Sequence, residues 1–294
     1  MMSMNVNSLS SVYSIKEEKK KDSFTQAKAV GAGLLASQTV GMAAMPINMP
    51  LMGRMAKISS ASDADAYRTA LKAMIDGSAL KNTGLSLIDL SKDKSVAKEF
   101  DRILKNSNAF QKFMIKLTNP IYQATKGENA AYAPILNNVF VDIEKMGASV
   151  FHELGHALNY NTSKFWKTLQ LSRMPVQSLL IPALILTAIL KKPKKDGEQP
   201  QGFLDKTTTF IKNNVGKLSG LAMLPLFAEE IKATLNGQKY AKKLLSPELY
   251  KKVTKSNIYG AITYGVVLAI TAFGAWAGNK IADKIREKAE TKQA

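Results

Sequence analysis

Residues 258–278 read IYGAITYGVVLAITAFGAWAG, 21 positions without a charge, bracketed by Lys255 and Lys280. At about 1.5 Å per residue, a helix of that length covers roughly 30 Å, the hydrocarbon thickness of a bilayer. Tyr259 and Trp276 stand near its ends, where amphipathic rings favour the headgroup level. Gly274 and Gly278 form a small-xxx-small pair that lets another helix come close. Core helices of soluble proteins seldom stay uncharged for so long. This run sets the fold class: a mainly α-helical membrane protein.

Three weaker segments accompany it. Residues 174–190 (MPVQSLLIPALILTAIL) are uncharged between Arg173 and Lys191, just long enough to span. Residues 29–53 are uncharged but diluted by Ser37, Gln38, Thr39, Pro46 and Pro50, and read as a membrane segment or hairpin. Residues 218–228 (LSGLAMLPLFA) span only if the helix continues beyond both ends. The expectation is a multi-pass integral membrane protein divided along the chain. It comprises a disordered polar tail over 1–28, the apolar segment or hairpin over 29–53, and a catalytic-side helical region over 54–173. Two membrane segments with a lysine-rich loop follow over 174–228, then two helices over 229–257. A transmembrane helix and charged tail close it over 258–294. The polar N-terminal stretch has no early apolar core and does not read as a cleaved signal.

Composition narrows the partners. Lys+Arg 41 against Asp+Glu 23 gives a formal charge of +18, which favours anionic surfaces. The lysines are scattered and few aromatics alternate with them, so a lipid bilayer is expected as partner and nucleic acid is not. No cysteine is present, which excludes disulfides, thiolate catalysis and cysteine zinc sites.

Within 54–173 the local signals are helical. Ser62-Asp63 caps a pattern that ends at Gly77, and residues 95–104 (SVAKEFDRIL) carry apolar positions at helical spacing. Residues 137–141 (NNVFV) are the one strand candidate, expected as a short edge strand or part of a small sheet. Such an edge would bind an extended substrate by strand addition.

Directly downstream stands FHELGHA, residues 151–157, which holds both of the histidines in the chain. On a helix, positions i and i+4 share one face, so His152 and His156 can aim imidazole nitrogens at one point. Zinc takes such nitrogens, and Glu153 beside the first ligand can act on a water there. Gly155 lets this helix pack close to a neighbouring strand or substrate. With no third histidine, a further protein ligand must be a carboxylate. Most downstream carboxylates lie in lysine-rich stretches. Glu229 and Glu230 stand apart, adjacent at the edge of an apolar segment where two negative charges are costly unless a cation meets them.

HELGH, two apolar segments and then Glu230-Ile231-Lys232-Ala233-Thr234 resemble the membrane-embedded gluzincin peptidases, which include HtpX-like quality-control proteases and CAAX prenyl proteases. Those carry a Glu-x-x-Ala-Asp helix whose glutamate is the third zinc ligand. Aligning Ala233 with the family alanine puts that role on Glu230 and leaves Glu229 as neighbour. The family aspartate falls on Thr234, a departure. The resemblance covers about residues 137–240. It implies a Zn2+-dependent endopeptidase with His152, His156 and Glu230 as metal ligands and Glu153 as general base to a metal-activated water. Its substrate would be a peptide or a membrane protein. Tyr132, Tyr160 and Tyr240 are candidates for stabilising the oxyanion. An alternative is a zinc-binding but catalytically inactive membrane scaffold.

Overall fold

In the computed structural model, which describes residues 6–59, 63–194 and 197–292, the chain is mainly helical and carries one small sheet. The helices are α1 (Val6–Ser59), α2 (Ala64–Asp76), α3 (Ser95–Lys105), α4 (Ala109–Thr118), α5 (Pro120–Lys126), α6 (Ile143–Met146), α7 (Val150–Thr162), α8 (Lys164–Pro175), α9 (Ile181–Leu190), α10 (Gly202–Leu244) and α11 (Pro247–Thr291). A π-helical stretch, Val176–Leu180, joins α8 to α9. The chain forms two compact units.

One unit comprises residues 45–174 and 224–267. Its sheet contains β1 (Ser86–Asp89), β2 (Ala130–Ala133) and β3 (Asn138–Val141) in the order β1-β3-β2. β1 runs parallel to β3, and β2 antiparallel. The strand expected over 137–141 is therefore central rather than an edge, because pairs form on both of its sides. The turn between β2 and β3 ends on Asn137 at φ 50°, a left-handed position that asparagine tolerates.

Strand alternation explains how the sheet packs. Val139 and Val141 face a core with Tyr67, Leu71 and Met74 of α2 and Phe151 and Leu154 of α7. Phe140 points the other way, onto Leu90 and Ala124. α2 ends at Gly77 as its sequence signal indicates. Ser62 of the expected cap lies outside the described residues, and Asp63 makes no side-chain capping bond.

The other unit comprises the chain up to Ala44, residues 175–223 and the chain from Leu268 onward. Here Gly33 of α1 meets Gly278 of α11 so closely that a Cβ on Gly278 would stand 2.5 Å from the Gly33 carbonyl oxygen. A Cβ on Gly274 would stand 3.1 Å from the Ser37 oxygen. The small-xxx-small pair thus finds its partner helix in this same chain.

Two expectations for the N-terminal part are corrected. Residues 6–28 are helical rather than disordered, since they hold no glycine or proline and belong to the single helix α1; residues 1–5 lie outside the described part. Nor does 29–53 turn back as a hairpin. It lacks the Gly-Pro or Asn-Gly pairs that reverse a chain.

Among the described residues, two helices are long and apolar enough to cross a membrane: Lys164–Leu190 and Pro247–Thr291. Only 17% and 11% of their apolar windows are buried within the chain, so neither is a covered core helix. Residues 29–53 lie inside α1, and residues 218–228 lie inside α10, where charges flank the short apolar run.

Candidate metal centre

The HELGH helix α7 forms because Val150, Phe151, Leu154, Ala157 and Leu158 recur at helical spacing and are all buried. That stripe fixes the rotation of the helix and so the direction of His152 and His156. α10 supplies the opposite wall. A Cβ on Gly155 would stand 1.9 Å from the Ala233 oxygen, and one on Gly237 would stand 2.0 Å from the Phe151 oxygen. The two helices cross main chain to main chain. Gly155 is needed for α10, not for a strand or substrate.

This crossing brings three donor atoms together. His152 Nε2 and His156 Nε2 are 3.0 Å apart, and Glu230 Oε2 lies 3.2 Å from each. Ligands at about 2.0–2.1 Å on a tetrahedral zinc stand about 3.3 Å from one another. The triangle therefore has the size such an ion needs, and the buried His152-His156-Glu230 group could hold a metal ion.

Behind the triangle, each histidine is tied at its other nitrogen. His156 Nδ1 lies 3.0 Å from Glu229 Oε1; a carboxylate only accepts, so Nδ1 donates and Nε2 is the nitrogen aimed at the centre. The same Glu229 oxygen accepts from Asn159 Nδ2 at 2.9 Å and Gln170 Nε2 at 2.6 Å, while its Oε2 accepts from Arg173 at 3.2 Å. His152 Nδ1 lies 2.9 Å from the Thr234 hydroxyl. Thr234 thus occupies the supporting place with an uncharged oxygen. Arg173 also donates to Glu230 Oε1, so one guanidinium spans the adjacent carboxylates.

Electrostatics follow from this packing. Burial alone would lower the His156 imidazole, but the charge of Glu230 and bonds to both glutamates raise it to about 10. Burial pushes Glu230 up, yet His156, the bond from His152 and the Arg173 charge hold it well below the usual carboxylate range. Burial pushes Glu229 up as well, but the bond and charge of His156 and the bond from Asn159 together hold it below its usual value. In the metal-free chain a proton on His156 takes the cation's place among these oxygens.

Glu153 is raised, chiefly by burial, against the opposing pull of His152 and His156. Its Oε2 accepts from the Tyr132 backbone N–H at 2.7 Å, so the edge strand β2 fixes its carboxylate. The tyrosines singled out in the sequence are engaged elsewhere: the Tyr132 hydroxyl bonds Asn137 Oδ1, Tyr160 packs on Tyr132, and Tyr240 packs against the core. The aromatic at the centre is Tyr264 of α11. It stacks on His152 with ring centroids 6.1 Å apart and lies close to the Glu230 and Glu153 carboxylates. Sequence reading misses Tyr264 because it sits inside the uncharged run as one more aromatic, and Arg173 because it looks like a flanking charge. Compared with known proteins, the chain matches no family model, no curated protein and no solved structure.

Proposed function

We propose that the protein is a zinc-dependent endopeptidase of the gluzincin type, a multi-pass integral membrane protein that hydrolyses peptide bonds in peptide or membrane-protein substrates. The observation that supports this reading best is the triangle of His152 Nε2, His156 Nε2 and Glu230 Oε2, with a half-buried glutamate one residue from the first ligand. Zinc, when bound, would supply Lewis-acid polarisation of the scissile carbonyl and activation of a water.

The chain's own residues divide the remaining tasks. Glu153, its carboxyl raised by burial, is suited to take a proton and return it to the leaving amine. Tyr132 N–H holds Glu153 Oε2, and Oε1 has no protein hydrogen bond among the described residues, so it is the atom available to the proton. Tyr264, stacked on His152 and bonded to Glu230, is the tyrosine we assign to meet developing negative charge. Arg173 balances the adjacent buried carboxylates, and β2 offers an edge along which an extended peptide could lie.

The test uses the full chain in detergent, loaded with zinc and offered an unfolded protein such as casein. We expect one zinc per chain and slow cleavage, with Glu153→Gln retaining the metal and losing turnover by at least about a hundredfold. A metal-loaded wild type without turnover would favour the inactive scaffold. A chain that takes up no metal would overturn the site itself.

A further inference from the structure

The unit that lacks the metal centre has a pocket of its own. A cavity of ≈ 570 Å³ is lined by lysines at 192, 194, 212, 280 and 284, with Thr209, Asp283 and Glu287 among the other walls. Most of these charges are spoken for. Lys192 pairs with Asp22, and Lys194 with Asp205. Lys212 and Arg286, 4% and 3% exposed, both reach the single oxygen Asp283 Oδ1, at 2.6 and 3.2 Å. Two buried cations on one carboxylate leave positive charge beneath the pocket floor.

Lys280 and Lys284 have no ion pair among the described residues. They stand one turn apart on α11, where like charges repel unless an anion lies between them. Glu287, on the same face, opposes an anion and is outnumbered. The Thr209 hydroxyl oxygen is buried in the pocket wall with no partner. Ammonium groups and an idle hydroxyl suit a ligand made of acceptor oxygens.

The surroundings say which anion. Phe273, Trp276, Lys280 and Lys284 follow at spacings of 3, 4 and 4, so one face of α11 changes from aromatic to cationic. Phe273 and Trp276 are 54% and 48% exposed, their rings 5.4 Å apart. α9 ends likewise: Leu186 and Leu190 are exposed, and Lys192 follows. Uncovered apolar surface running into a lysine pocket matches a molecule with an acyl chain and a phosphate.

We propose that this pocket binds the phosphate of an anionic phospholipid, held by Lys280, Lys284 and the Thr209 hydroxyl, with the acyl chains along Phe273 and Trp276. The test measures thermal stabilisation of the detergent-solubilised full chain by phosphatidylglycerol, phosphatidylcholine and inorganic phosphate. Wild type should prefer phosphatidylglycerol. Lys280→Gln/Lys284→Gln, two exposed positions whose loss leaves the fold intact, should weaken that preference by about thirtyfold. Lys251→Gln/Lys255→Gln, with the same charge loss elsewhere on α11, should retain it. Thr209→Val changes no charge and should weaken it several-fold. Equal loss in the two lysine pairs, or none with Thr209→Val, would show diffuse attraction and overturn the site. Equal protection by inorganic phosphate would overturn the lipid assignment.

Discussion

The hydroxyl oxygen of Thr234 lies 2.9 Å from Nδ1 of His152, at the position where the gluzincin resemblance would put an aspartate. An uncharged oxygen there still accepts an N–H and keeps Nε2 turned to the triangle, but it does not add basicity to the ring. Thr234→Val should therefore lower zinc affinity by about tenfold, while Thr234→Ser leaves it near wild type. Competition against a chelator of known affinity measures both. Equal affinity of the valine variant would mean that packing, not this bond, orients the imidazole.

The neighbouring glutamates should fail in different ways. Glu230→Gln removes an anionic oxygen from the triangle and should lower zinc affinity by at least about tenfold. Glu229 is 0% exposed, and its Oε1 accepts from His156, Asn159 and Gln170. An amide there puts a donor among donors, so Glu229→Gln should destabilise the fold by about 1–3 kcal/mol. Zinc content and urea midpoints of the two variants separate these roles; emptying of the site by Glu229→Gln alone would reverse the assignment.

The helix crossing gives a steric prediction. Gly155→Ala and Gly237→Ala place a methyl about 2 Å from carbonyl oxygens of the opposing main chain, which cannot rotate away. Each should cost about 3 kcal/mol or more, at the upper end for overpacking. Gly265→Ala, on α11 with nothing within 4 Å of the added carbon, should be neutral or mildly stabilising. Thermal melts of the three variants check the contrast.

The pH dependence of the metal-free protein follows from His156. Its folded value of about 10 lies above the unfolded value of about 6.5, so the group stabilises the fold fully below about pH 6.5. That contribution is lost as pH rises through about 10. Zinc binding must displace this proton, so affinity should climb with pH over the same window, by up to about tenfold per unit. Denaturant midpoints at pH 6, 8 and 10, with and without zinc, test both signs. A metal-free chain that gains stability across this range would contradict the arrangement.

Much of the centre was legible because its chemistry is written in spacing. His152 and His156 share a face by virtue of the i, i+4 rule, and Glu229 and Glu230 stood out together as carboxylates beside an apolar segment, with only the family resemblance choosing Glu230. The sheet was legible only at β3, where Val139, Phe140 and Val141 carry β-branched and aromatic character. β2 reads AAYA and β1 reads SLID, runs with one strand-favouring residue each, and they become strands by pairing with β3. Thr234, Tyr264 and Arg173 escaped for another reason. Their roles depend on which residue of a distant helix they meet, a relation no local pattern records.

The crossing of α7 and α10 would also act as a caliper on any ion the triangle holds. Because Gly155 and Gly237 put backbone against backbone, the span between the two imidazoles and the Glu230 carboxylate is fixed by main chain rather than by adjustable side chains. A calcium ion, which takes six to eight oxygens, would find one carboxylate and two nitrogens here, too few oxygens to hold it. Two glycines that carry no donor atom would thus set the frame in which any ion is held.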